Sequence, residues 1–280
     1  MSEQYRPSGF NILPPVVKNL LIINGIFFVA TIIAEQKFNY DLSDFLGLHY
    51  FGSEKFRPHQ IITYMFMHGG FSHIFFNMFA LWMFGNALEN YWGGKKFLIF
   101  YVVCGLGAAV THYVIFYFQI HSVMEPVSAY LSHPELKNFE EIFQPLLSEN
   151  IHRPSEALDT LINTYNVIPL SNESEKLQAS IDLMTQFRID FLNEPVIVGA
   201  SGAIFGVLLA FGMTFPNSMI YMYFLFPIKA KWFVIIYGAI ELYSGIQSNG
   251  GDNVAHYAHL GGMLFGFVLI QLWKKKGSMF

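Results

Sequence analysis

Four polar side chains lie inside strongly apolar stretches of this chain: His73 and Asn77 in one, Ser201 in a second and His259 in a third. A serine hydroxyl is a weak nucleophile until a base takes its proton, and a neutral imidazole can take it. Acyl transfer also needs donors for the oxyanion that develops on the attacked carbonyl. His73 and Asn77 are four residues apart, so a helix puts both on one face with N–H groups to offer. Backbone N–H groups at the turn from Gly199 to Ser201 add further donors if a helix starts there. His259 has no Asp or Glu close to it within its own stretch, and Asp252 stands seven residues upstream in a loop. The spacing therefore predicts a Ser–His pair rather than a three-member relay. Taken singly these residues say little, because a serine in a small-residue helix usually packs and a buried asparagine usually bonds a neighbouring helix.

What must position them follows from composition. Of 280 residues, 53% are apolar, 18% aromatic and 13% charged, and the mean hydropathy is +0.39. An average soluble domain carries roughly 25% charged residues, so the solvent here is lipid. A net charge of −4 without a Lys/Arg stripe excludes nucleic acid as a partner. The single cysteine, Cys104, excludes an internal disulfide and a two-thiol redox site. Six windows have the roughly 20 apolar residues that span a hydrocarbon core: 13–34, 71–90, 97–119, 196–215, 230–247 and 254–273. The first reads as a retained span rather than a secretory signal, because a long polar stretch with Glu3 precedes it. The short apolar stretch from Met219 to Ile228 reads as interfacial or re-entrant. Glu241 interrupts the fifth window and is expected to reach toward the outer interface or to pair with a polar neighbour. The expected fold is an all-α polytopic bundle of six transmembrane helices.

Charge divides the chain into three parts. Residues 120–194 hold twelve of the twenty acids against four bases, a net −8, and read as an acidic extramembrane insert between the third and fourth spans. An apolar face through Leu177, Ile181, Met184, Phe187 and Phe191 predicts a helix there, and Pro154-Ser155 predicts another helix start. Residues 1–119 then form the first three spans, and 195–280 the last three with a Lys-rich tail. Arg6, Lys18, Lys95, Lys96, Lys229, Lys231 and Lys274 to Lys276 all fall on one side of a six-span bundle. That side is the cytoplasm, in the plasma or inner membrane, and the insert lies outside. Trp92, Trp232 and Trp273 fall at the same interface.

Depth is the useful test of the four polar residues. Ser201 is six residues past Pro195, and His259 is six past Asn253. Both then sit about 9 Å below the outer surface at 1.5 Å per residue. His73 and Asn77 enter near the start of the second span from the same side. Two G-x-x-x-G patterns, Gly202 to Gly206 and Gly262 to Gly266, let the fourth and sixth spans approach closely with Ser201 and His259 adjacent. Phe205, one turn beyond Ser201, is placed to stack on the imidazole.

With these residues in view the chain resembles the rhomboid intramembrane serine proteases. The resemblance rests on Gly199-Ala-Ser-Gly202 for GxSG, His73 to Asn77 for HxxxN and Ala258-His-Leu-Gly-Gly262 for AHxxG. His68 and the pair Phe56-Arg57 add to it, although Phe stands where Trp is frequent. The resemblance covers roughly residues 15–119 and 195–273 and implies a serine endopeptidase acting on membrane-anchored proteins in or near their transmembrane helix. It implies Ser201 as nucleophile, His259 as general base and acid, and His73, Asn77 and the Gly199 turn as oxyanion stabilisers. Single-span transmembrane proteins and membrane lipid are the implied partners, with no cofactor and no metal. A zinc protease of the His-Glu-x-x-His type is excluded because no histidine here precedes a glutamate. An aspartyl intramembrane protease is excluded because every Asp lies outside the six windows. The alternative from another class is a rhomboid-like binder of membrane helices that does not cut; such proteins lose the Ser or the His, and this chain keeps both.

Overall fold

Pro15 opens the first helix, where a missing N–H costs nothing because first-turn donors have no helical acceptor. The computed structural model describes residues 11–150, 154–194, 196–222, 226–247 and 256–276. In α1 (Pro15–Phe38) the Val16 and Val17 N–H groups donate to the Glu89 carboxylate at 2.9 and 2.7 Å. Glu89 is thereby buried at an end of α1 where the helix dipole favours negative charge. After Asn39, in left-handed backbone, come α2 (Leu42–Leu46) capped by Asp41, and the short strand β1 (Leu48–His49). Next are α3 (Gln60–Thr63) and a 3-10 turn over Tyr64–Phe66.

The second apolar window is built in three pieces: α4 (Phe71–Ala80), a π-helical turn over Leu81–Gly85, and α5 (Asn86–Trp92). The third continues far beyond its apolar run. Helix α6 (Gly94–Ser132) has 39 residues, about 58 Å of rise. The domain boundary expected at residue 119 falls inside it.

Beyond that residue α6 joins a second apolar core. Ile120, Val127 and Tyr130 pack with residues of α7 (Leu136–Asn150), α8 (Glu156–Val167) and α9 (Glu173–Asn193). Phe139, Phe143 and Phe187 fill its centre, fully or almost fully buried. Ser155 caps α8 by accepting from Leu158 N–H at 3.1 Å. On α9 the inward residues are Ala179, Leu183, Met184, Phe187 and Phe191, while Leu177 and Ile181 are only half-buried. Lys176 turns inward instead, donating to the Tyr165 and Ile168 carbonyls at the end of α8 at 3.0 and 3.1 Å.

The chain returns through β2 (Val196–Ile197), which pairs antiparallel with β1, Leu48 opposite Ile197. Then follow α10 (Ser201–Thr214), α11 (Ala230–Gln247) and α12 (His256–Lys275). Between α10 and α11, the stretch expected as interfacial or re-entrant is a hairpin of β3 (Met219–Met222) and β4 (Phe226–Lys229). Its period is two: Ile220 is buried, Met219 and Tyr221 are exposed. The architecture is otherwise helical.

At its centre α10 lies between α6 and α12, and glycines set how close. A Cβ on Gly262 would fall 1.8 Å from the Gly202 carbonyl oxygen, and one on Gly206 would fall 2.4 Å from Cys104 Sγ. Nothing larger than hydrogen fits at either place. Outward faces are apolar instead of polar: Ile22, Ile26 and Val29 on α1, Phe71, Phe75 and Phe76 on α4, and Ile235, Ile236 and Ile240 on α11 are exposed. Such surfaces suit lipid and would aggregate in water. By length and composition alone, α1 and α6 pass as membrane-crossing helices, and α10 is apolar but only 14 residues long. At the Lys-rich end Trp92 and Trp273 meet edge to face at 5.7 Å, and Lys96 Nζ lies 4.8 Å from the Trp273 ring centre.

Candidate active site

Ser201 is the first residue of α10, so its own N–H is one of the unsatisfied donors of a helix start. The turn before it is fixed from two sides. Strand β2 is held by β1, and Gly199 N–H donates to the Tyr64 carbonyl at 2.9 Å. Gly199 itself has φ +127°, a conformation that L side chains rarely adopt. A Cβ there would lie 2.8 Å from His73 Nε2 and 3.5 Å from Ser201 Oγ. The imidazole of His73 thus faces the serine across a bare stretch of backbone.

His259, on the second turn of α12, approaches Ser201 directly: its Nε2 is 2.8 Å from Oγ. The G-x-x-x-G contacts between α10 and α12 bring the two together. Phe205 lies flat on the imidazole, centroids 4.2 Å apart and planes 6° from parallel. Tyr237 and Phe233 of α11 continue the stack at 5.3 and 5.6 Å.

Of the two expectations for Glu241, pairing with a polar neighbour is the one the structure shows. Glu241 does not reach for the interface but is 7% exposed, and its Oε2 accepts from His259 Nδ1 at 2.9 Å and from His256 Nδ1 at 2.7 Å. The expectation of an isolated Ser–His pair is corrected here: a carboxylate stands behind the imidazole, contributed by another helix. Spacing along the span that carries His259 holds no trace of it. The available signal was the glutamate itself, alone in an apolar window. The three ligand atoms lie within 4.8 Å of one another, as a small divalent ion would need. The shared oxygen already gives both ring N–H groups an acceptor.

His73 and Asn77 project from α4, whose contact with α10 sets them beside Ser201's helix. Gly69 N–H donates to His73 Nδ1 at 3.4 Å, which places the ring proton on Nε2, the nitrogen that faces Gly199. Asn77 is 7% exposed, and its Nδ2 has no partner among the described residues. An amide donor in this position can be given to an oxygen brought beside Ser201. His68 packs against His73 edge to face at 5.0 Å, and Arg57 Nη1 donates to the Glu54 and Phe56 carbonyls. Gly250, Gly251 and Asp252 lie outside the described residues.

The rhomboid domain pattern matches residues 55–120 and 177–276, more than half of the chain and all of the residues just placed around Ser201. The chain belongs to the rhomboid family. This rhomboid is accordingly an integral, multi-pass membrane protein. It is also 33% identical over 55 residues to the rhomboid protease GluP of Bacillus subtilis (strain 168). That alignment covers 20% of this chain and 11% of the GluP protein. Residues 121–176 of this rhomboid, most of the second apolar core, lie outside the family match.

Proposed function

We propose that this rhomboid is an intramembrane serine endopeptidase that cleaves single-span proteins in or near their transmembrane helix. The observation that carries the reading is the 2.8 Å approach of His259 Nε2 to Ser201 Oγ at the start of a buried helix. With Nδ1–H engaged by Glu241, the Nε2 lone pair accepts the serine proton as Oγ bonds to the substrate carbonyl carbon. The carbonyl π pair moves onto oxygen, and Asn77 Nδ2–H, His73 Nε2–H and the backbone N–H at Ser201 receive that oxyanion. Collapse expels the amine, which takes the proton from His259. Water then releases the acyl group by the same steps in reverse order of partners. Neither a metal nor a cofactor enters.

Treating the purified protein with a fluorophosphonate and mapping the adduct tests this. One adduct at Ser201, lost when His259 is replaced by Ala, is expected. An unreacted wild-type serine would leave a helix-binding protein without protease chemistry.

The same reading takes all six apolar helices as membrane spans, with residues 120–194 as an insert on the outside. Both termini then lie in the cytoplasm. A cysteine placed at Ser171 should react with an impermeant maleimide in intact cells or spheroplasts, while one placed at Lys275 stays protected. The opposite pattern would invert the topology.

A further inference from the structure

Glu241 belongs to none of the motifs that carry the family resemblance, and its placement is not that of a helix-packing residue. Its single oxygen Oε2 collects two imidazole N–H bonds, from His259 on one side and His256 on the other. We infer that Glu241 is the positioning residue of the site, selecting the tautomer of His259, and that His256 holds the carboxylate in place to do so. The inference rests on the reading of Ser201 as nucleophile and deepens it.

The chemistry is one of proton placement. A neutral imidazole carries its proton on one nitrogen, and only the other can act as a base. His259 Nε2 must be the bare nitrogen to accept from Ser201 Oγ at 2.8 Å. That requires the proton on Nδ1, where Glu241 is its acceptor. During attack the ring becomes an imidazolium, and the same carboxylate faces the new charge in a site where little water screens it. Three contacts then fix one ring: Phe205 sets its plane, Glu241 its tautomer, and the G-x-x-x-G seam its distance from the serine.

His256 explains why the carboxylate stays there. Lying one turn before His259 on α12, it donates to the same oxygen from the far side. Freed from that bond, the flexible glutamate side chain would have, among the described residues, only His259 to hold it. A purely structural clip between α11 and α12 would need one such bond and would not need it to end on the catalytic ring.

The test compares full-length wild type, Glu241→Gln and His256→Gln in detergent, reading kcat, KM and the rate of fluorophosphonate labelling at Ser201. Glutamine keeps the shape but loses the charge that faces the imidazolium, and wherever its amide turns N–H toward Nδ1 the proton is driven to Nε2 and the base disabled. Glu241→Gln is expected to lose about 10²–10⁴ in kcat, with KM within about twofold and labelling slowed in parallel. His256→Gln is expected to lose about tenfold in kcat at unchanged KM. If Glu241→Gln keeps the wild-type kcat and labelling rate, the positioning role is overturned while the serine-protease reading stands. If wild type itself is never labelled, the underlying reading fails instead. Should Glu241→Gln not fold, His256→Gln decides: an unchanged kcat overturns the role, a loss at constant KM supports it.

Discussion

Ser201→Ala is expected to abolish cleavage of a single-span substrate, while Asn77→Ala in the same assay keeps a measurable rate. Replacing serine by alanine removes one oxygen from a half-buried position at a helix start, so the fold and substrate binding should survive. Removing the nucleophile of a serine hydrolase costs on the order of 10⁴–10⁶ in rate. Losing one oxyanion donor costs about 10²–10³. Asn77 is one of several donors, with His73 and the helix-start N–H beside it, so its loss is graded. The gap between the two variants is the readout. Equal residual activity in both would remove Ser201 from the nucleophile's role.

The second large effect concerns packing. Gly262→Val should destabilise the protein by about 3 kcal/mol or more and abolish phosphonate labelling with it. A Cβ at that position would sit 1.8 Å from the Gly202 carbonyl, a backbone atom that no side-chain rotation can move aside. α10 and α12 must part, and Ser201 and His259 part with them. Gly25→Ala on α1 is the control: its Cβ would meet nothing within 4 Å, and alanine is favoured in helices by about 0.5–1 kcal/mol. Thermal unfolding in detergent compares the two. If Gly262→Val unfolds with wild type and still labels, the close seam does not set the distance between serine and histidine.

The sequence made the convergence of Ser201, His259 and Phe205 legible because each is tied to a helix phase or to a glycine seam, and both have local signatures. The helical faces within residues 120–194 were readable for a similar reason, although Lys176 showed that a polar residue can take an inward place when two carbonyls at a helix end await it. Glu241 was not legible as a partner of His259. Fifteen and eighteen residues separate it from His256 and His259, and how two helices rotate against each other is set by packing, not by spacing along either one. The π turn at Leu81–Gly85 was hidden for a different reason: one extra residue in a turn rotates the following face by about 100° without altering composition. Strands of two residues, as in β1 and β2, are too short to show any period, and the β3–β4 hairpin was masked because its residues are apolar up to Lys229.

Helix α6 is a member of both apolar cores. Ala108 lies against Gly202, next to Ser201, and Val127 is wholly buried in the second core. Nineteen residues separate them, about 28 Å along the axis. Pro126, which removes one backbone bond, would be the compliant joint of this strut. It is splinted by Ile120 on one side and by Val127 and Tyr130 on the other, all in the same cluster. Helices α7, α8 and α9 are therefore not on a flexible leash: the core they share with α6 stands at a fixed offset from Ser201. Were a substrate to dock on that core, its effective concentration at Ser201 would be high only when its scissile bond lay at the matching offset.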